Sequence, residues 1–131
     1  MAMDVLIVDD SATMRRIIGR ALTMSGLPVR SMLEAEDGRS ALELIARAKI
    51  DLALLDINMP GMNGIQALEA LRESDATADL PVVVVSTEGS APRLDRVRQL
   101  SAGFVRKPFT PEALIDAVIV AIGGRGRGEL R

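Results

Sequence analysis

The 131-residue sequence predicts an α/β domain: a parallel sheet of five strands with five helices covering both of its faces. Three observations point there. Short apolar runs without polar alternation, such as Val5 to Val8, Leu52 to Leu55 and Val82 to Val85, read as strands buried on both faces. Between them lie segments whose apolar residues recur at helical spacing. Each run also stops at residues able to carry chemistry, and in a parallel sheet the ends of the strands share one edge of the molecule.

Taken in order, the Val5 to Val8 run ends in Asp9 and Asp10. Ser11 suits an N-cap, and Met14, Ile17, Ile18, Ala21 and Leu22 recur at helical spacing until Gly26 and Pro28 end the helix. Val29 to Ala35 is a second, weaker strand. Asp37 and Gly38 then turn the chain into a helix with Leu42, Ile45 and Ala46 as its inward face. The segment DLALLDINMPGMNG, Asp51 to Gly64, organises the rest: an apolar run presents Asp56 and is halted by Asn58, Pro60, Gly61 and Gly64. A third helix follows from about Ile65 to Arg72, with Leu68 and Leu71 inward, and a polar connection leads to Pro81.

Val82 to Val85 is a run of four β-branched residues that stops at Ser86 and Thr87. Ser90 and Pro92 suit the cap and first turn of a short helix with Leu94, Val97 and Leu100 inward. Gly103 to Arg106 reads as a brief fifth strand ended by Lys107 and Pro108. Thr110 caps and Pro111 starts a last helix lined by Leu114, Ile115, Val118, Ile119 and Ile122, which Gly123 and Gly124 are expected to break. Residues 1–124 form the expected domain, and the glycine-rich, polar residues 125–131 are expected to be a disordered tail.

Composition narrows the chemistry. The chain has no cysteine and no histidine, so thiolate sites, the commonest zinc ligand and the usual general base are all absent. With no Trp or Tyr, two Phe and a net charge of -2, neither base stacking nor a basic nucleic-acid face is expected. The amino terminus shows no basic-then-apolar export signal, and no apolar run approaches a membrane span, so a cytoplasmic, soluble monomer without membrane insertion is the expectation.

Asp9, Asp10, Asp56, Ser86 and Lys107 all fall at strand ends and are therefore expected to converge. Three carboxylates in a small volume repel one another and call for a cation. An oxygen-only donor set without His or Cys fits magnesium, which keeps several waters and shares phosphate oxygens. Lys107 then supplies a point charge for a phosphoryl oxygen, Ser86 a hydroxyl hydrogen bond, and a carboxylate can act as the nucleophile, giving an aspartyl phosphate.

In this order the residues resemble the receiver domain of two-component response regulators, and within that family the chemotaxis-type, CheY-like single-domain members. The likeness is carried by VDDSATMRRII, EAEDGRSAL, DINMPGMNG, LPVVVVS and VRKPFT and spans residues 4–122. It implies a flavodoxin-like (βα)5 fold with strand order 2-1-3-4-5. It implies that Asp56 accepts a phosphoryl group from a phosphohistidine on a sensor histidine kinase. Asp10 and Asp56 would hold magnesium directly, Asp9 largely through water, and the Asn58 backbone carbonyl would complete the protein ligands.

The same resemblance pairs Lys107 with the phosphoryl oxygen and makes Ser86 and Phe104 the switch residues, Phe104 without the hydrogen bond that a Tyr would offer. Asn58 and Glu88 take the positions that tune phosphate lifetime. Switching would remodel the surface of helix four, strand five and helix five to control a downstream protein target, such as the flagellar motor or another signalling protein. The domain would be no enzyme beyond its own phosphorylation and autodephosphorylation. One departure is that the segment from Glu88 to Phe104 is slightly shorter than in chemotaxis relatives, with Ser101-Ala102-Gly103 before strand five.

Three alternatives stand beside this reading. The chain could be the receiver of a longer regulator such as a chemotaxis methylesterase. A magnesium-dependent aspartyl-phosphate phosphatase is a different class, but such enzymes carry a second Asp two residues after the nucleophile. Ser11 stands there if Asp9 is the nucleophile and Ala12 if it is Asp10, and no insertion is long enough for a cap. A nucleotide or flavin binder would need a glycine-rich phosphate loop after the first strand, which is missing.

Overall fold

The computed structural model describes residues 2–130 apart from Pro60, Glu88 and Gly89, with side chains described as far as Gly123. Strands β1 (Met3–Val8), β2 (Val29–Ala35), β3 (Leu52–Leu55), β4 (Val82–Ser86) and β5 (Gly103–Arg106) alternate with helices α1 (Ala12–Met24), α2 (Gly38–Arg47), α3 (Gly64–Glu73), α4 (Ala91–Gln99) and α5 (Pro111–Leu130). All strand pairs are parallel, as the sequence pattern predicts, and the order is β2-β1-β3-β4-β5, as the family resemblance implies.

The absence of polar alternation in the strands follows from a sheet packed on both sides. Leu6, Val8, Ala53, Leu55, Val82 and Val84 enter one core with Ala41 of α2, Leu68 and Leu71 of α3 and Val97 of α4. Their neighbours Val5, Ile7, Leu52, Leu54, Val83 and Val85 enter the other with Ile18 and Leu22 of α1 and Leu114 and Val118 of α5. Each of the Val, Leu and Ile side chains, removed from water, contributes about 1.5–3 kcal/mol, so the pattern fixes both register and layer.

Several caps are as expected. The Ser11 side chain accepts from the Met14 N–H, Asp37 from Ser40, and Thr110 Oγ1 from Ala113 at 3.1 Å. Asn63 and Gln66 form a reciprocal capping box on α3. Ser90 occupies the N-cap position of α4, but its side chain makes no capping hydrogen bond to the helix.

Three further expectations are corrected. Ala46 faces solvent, because the stripe of α2 runs through Ala41, Leu44, Ile45 and Ala48 and position 46 lies off it. Ile17 and Ile119 have the spacing of core residues but are 46% and 51% exposed. Helix α5 does not stop at Gly123 and Gly124 but is assigned over Pro111–Leu130. A helical glycine costs about 1 kcal/mol relative to Ala yet keeps its N–H and C=O, so glycine weakens a helix without forbidding it.

The departure at residues 101–103 resolves into a helix-ending motif. The Ser101 N–H bonds to the Arg98 carbonyl at 2.9 Å and the Ala102 N–H to the Val97 carbonyl at 3.2 Å. This is the Schellman pattern, and it puts Ser101 in the left-handed region at φ 58°. Glycine holds that conformation without strain. Ser101→Gly is therefore expected to raise unfolding stability by about 0.5–1 kcal/mol, measured by urea titration.

At the sheet edge opposite the candidate site, the Asp4 carboxylate accepts hydrogen bonds from Arg30 and from Ser31. First the Arg30 bond and then the Ser31 bond hold its pKa at about 2, below the usual 3.8. A carboxyl lowered in the folded state contributes stability that is complete above its unfolded pKa and is lost as pH falls through the folded one. The stability difference between the native chain and Asp4→Asn should therefore be constant above about pH 4 and shrink between about pH 4 and pH 2, followed by denaturation at each pH.

Candidate functional site

The parallel register assembles the site. Val8 of β1 pairs with Leu55 of β3, so the residues that follow, Asp9 and Asp56, leave adjacent strands side by side. The Asp56 N–H bonds to the Val8 carbonyl at 2.9 Å, and the Lys107 N–H bonds to the Ser86 carbonyl at 3.0 Å. The same edge thus receives residues from β1, β3, β4 and the end of β5.

Asp9 and Asp56 are buried, at 1% and 5% exposure, whereas Asp10 is exposed at the rim. Lys107 joins the two buried carboxylates: its Nζ lies 2.7 Å from Asp9 Oδ2 and 3.3 Å from Asp56 Oδ2. Partial burial by itself pushes the Lys107 pKa down. The hydrogen bond to Asp9 and the charges of Asp56 and Asp9 outweigh it, so the ammonium titrates above the ordinary lysine range.

One oxygen from each of Asp9, Asp10 and Asp56 lies within 4.8 Å of the others. With Lys107 counted, three carboxylates and one ammonium leave two formal negative charges. An oxygen-only donor set with that charge suits a hard divalent cation.

The other oxygens of the buried pair are held by backbone. Asp9 Oδ1 accepts from the Ser11 N–H at 2.9 Å, and Asp56 Oδ1 from the Asn58 N–H at 2.9 Å. Asn58 Nδ2 reaches Ser86 Oγ at 3.3 Å and Thr87 Oγ1 at 3.4 Å. Ser86 is fully buried and Thr87 exposed. Phe104, half-buried, packs against the core cluster that contains Val97 and Leu100 rather than lining the acidic group. Glu88 and Pro60 lie outside the described residues.

Two residues contribute that sequence patterns alone do not mark. Arg15 donates through Nη1 to the Asp9 carbonyl at 2.6 Å and through Nε to Glu34 at 2.7 Å, bracing the end of β1 against β2. Gly64, which reads in sequence as loop punctuation, is pressed against the Asp56 backbone. A Cβ built there would sit 2.2 Å from the Asp56 carbonyl oxygen and 2.6 Å from Ile57 Cα, so α3 can start this close to the site only with glycine. A glycine just before a helix, a few residues after a strand-ending Asp, was the available signal.

Removing the ammonium leaves two buried carboxylates without their shared counter-charge. Lys107→Ala is expected to lose about 3 kcal/mol of unfolding stability in metal-free buffer, read by urea titration. Retention of native stability would show that the carboxylates do not depend on Lys107.

The family model of the response regulator receiver domain matches residues 5–119. A chemotaxis protein CheY homolog of Campylobacter jejuni is 37% identical over 96% of this chain and 98% of its own length. Chemotaxis protein CheY1 of Helicobacter pylori is 38% identical over 92% of this chain and 98% of its own. The structure of chemotaxis response regulator CheY4 of Vibrio cholerae superposes with a TM-score of 0.81 at 30% identity, covering 92% of this chain and 99% of that one. The chain therefore belongs to the response regulator receiver domain family.

Proposed function

We propose that Asp56 is the phosphoacceptor of this regulator and that the donor is a phosphohistidine on a sensor histidine kinase. The observation that carries the reading is the meeting of Asp9, Asp56 and Lys107 from three different strand ends. An Asp56 carboxylate oxygen attacks phosphorus in line, the donor's N–P bond breaks, and the electron pair leaves on the imidazole nitrogen of the other protein. This chain needs no histidine of its own. What it supplies is position and charge.

Magnesium fits the donor set: Asp10 and Asp56 would hold it directly, Asp9 through water, with the Asn58 carbonyl as a further ligand. Such an ion offsets charge on the transferring phosphoryl group. Lys107 is already beside Asp56 and needs only to exchange a carboxylate oxygen for a phosphoryl oxygen. The new phosphate adds about -1.5 to -2 charge and three acceptor oxygens. Ser86 then turns its hydroxyl from Asn58 toward the phosphoryl group, and Phe104 moves into the space released. Asn58, which touches both Asp56 and Ser86, is assigned control of the approach of water, and Glu88 the same role.

The outcome is a shift between two packings of the α4, β5 and α5 surface, biased by a local change of charge. Receiver domains of this family are generally phosphoacceptors rather than enzymes acting on other molecules. The names of the relatives favour a place in chemotactic signalling, and we take the chain to be a monomer that acts through a protein partner. No described helix is long and apolar enough to cross a membrane. We take residues 1–124 as the working unit.

Incubation with acetyl phosphate and magnesium should place one hydroxylamine-sensitive phosphate on the native chain, detected by intact-mass spectrometry. Asp56→Asn should reduce that label to background. Full labelling of the variant would move the nucleophile elsewhere, and many turnovers on unrelated phosphate esters would favour a phosphatase.

A further inference from the structure

Helix α4 is held very differently at its two ends. No residue from Ala91 to Arg96 is buried, whereas Val97 is 1% and Leu100 9% exposed, so only the C-terminal half is seated in the core. That half also meets Arg72, in the last turn of α3. The Arg72 Nε donates to the Leu100 carbonyl at 2.7 Å and Nη2 to the Ser101 carbonyl at 3.4 Å. Its Nη1 donates to the carbonyls of Thr77 and Ala78, each at 3.2 Å.

One guanidinium therefore ties the end of α4 to α3 and to the loop that leads into β4. Its planar fork offers donors in several directions at once, which the single ammonium of lysine cannot reproduce. The carbonyls at a helix C-terminus are the ones left without intrahelical partners, and they carry the negative end of the helix dipole. A cation there is doubly favourable. The Schellman bonds of Ser101 and Ala102 lock the same turn. A further tie, Arg96 to Glu69 at 2.8 Å, is a partly exposed surface ion pair and contributes less.

We propose that Arg72 is a positioning residue that fixes the C-terminal end of α4, making Leu100–Ser101 a pivot about which the N-terminal end of the helix moves. The N-terminal end is the one connected to Ser86 and Thr87, so it lies next in the chain to the residues that respond at the Asp56 site. The anchor itself rests on the structure alone. Its use in switching rests on the phosphoacceptor reading given above.

Native-state amide hydrogen exchange on the full chain, resolved by NMR, tests both. In the free protein the Leu100, Ser101 and Ala102 amides should exchange on the order of tenfold or more slower than those of Leu94 and Asp95, the reverse of a helix that frays at its C-terminus. In Arg72→Lys that protection should be lost, while Leu94, Asp95 and the β3 amide of Leu54 keep their rates. Equal protection at the two ends of α4 in the native chain, or an unchanged gradient in Arg72→Lys, overturns the anchor.

Magnesium with beryllofluoride, a phosphoryl mimic, should then change exchange at Leu94 and Asp95 but not at Leu100 to Ala102. A response as large at the C-terminal end overturns the pivot. With the gradient intact, a chain that shows no beryllofluoride response anywhere keeps the anchor and counts against the phosphoacceptor reading instead.

Discussion

Two carboxylates are buried beside one another at the carboxyl edge of the sheet, and the Lys107 ammonium makes that arrangement stable. At an effective dielectric constant of about 20, like charges no more than 4.8 Å apart repel by at least about 3 kcal/mol, while an ammonium at 2.7 Å from one carboxylate and 3.3 Å from the other attracts them by about 6 and about 5 kcal/mol. Lysine therefore more than offsets the repulsion of the buried pair, but it leaves part of the acidic charge of the cluster uncancelled. The same arrangement that tolerates Asp9 and Asp56 in the fold leaves a residual negative charge that suits a cation.

Little of this depends on side chains finding one another by chance. Parallel pairing puts Val8 beside Leu55 and Ser86 beside Arg106, and the residues one step further on inherit that proximity. The two apolar layers prevent slippage, since moving any strand by a single residue would exchange its contributions to the two cores. Site geometry is thus a by-product of core packing. Gly64 and Arg15 refine it, one by letting α3 begin against the Asp56 backbone and the other by holding the Asp9 carbonyl.

The two ends of α4 are held differently. Its C-terminal turn is closed by a left-handed serine and by a guanidinium that satisfies orphan carbonyls, while its first turns lie on the surface. The switching proposed for this surface needs an element that can take up two positions without unfolding. A helix seated at one end meets that need, because the rest of the core is undisturbed when the other end shifts.

Strand and helix positions were legible because apolar runs and helical spacing are local patterns. Four-residue runs such as Val82 to Val85 leave few alternatives, and Ser11, Asp37 and Thr110 mark helix starts by their own chemistry. The convergence of Asp9, Asp10, Asp56, Ser86 and Lys107 on one edge also followed, since it needs only the direction of the strands. What the sequence could not reveal is how those groups share hydrogen bonds. That Lys107 spans Asp9 and Asp56, that Asn58 touches Ser86, that Gly64 must lack a side chain and that Arg72 gathers four carbonyls depend on approaches between segments 5 to 98 residues apart. The sequence by itself determined the layers, the order of elements and the edge where chemistry gathers, because those follow from local periodicity. Only tertiary structure decided partners and distances, because they arise from the packing of elements whose contacts leave no periodic trace along the chain.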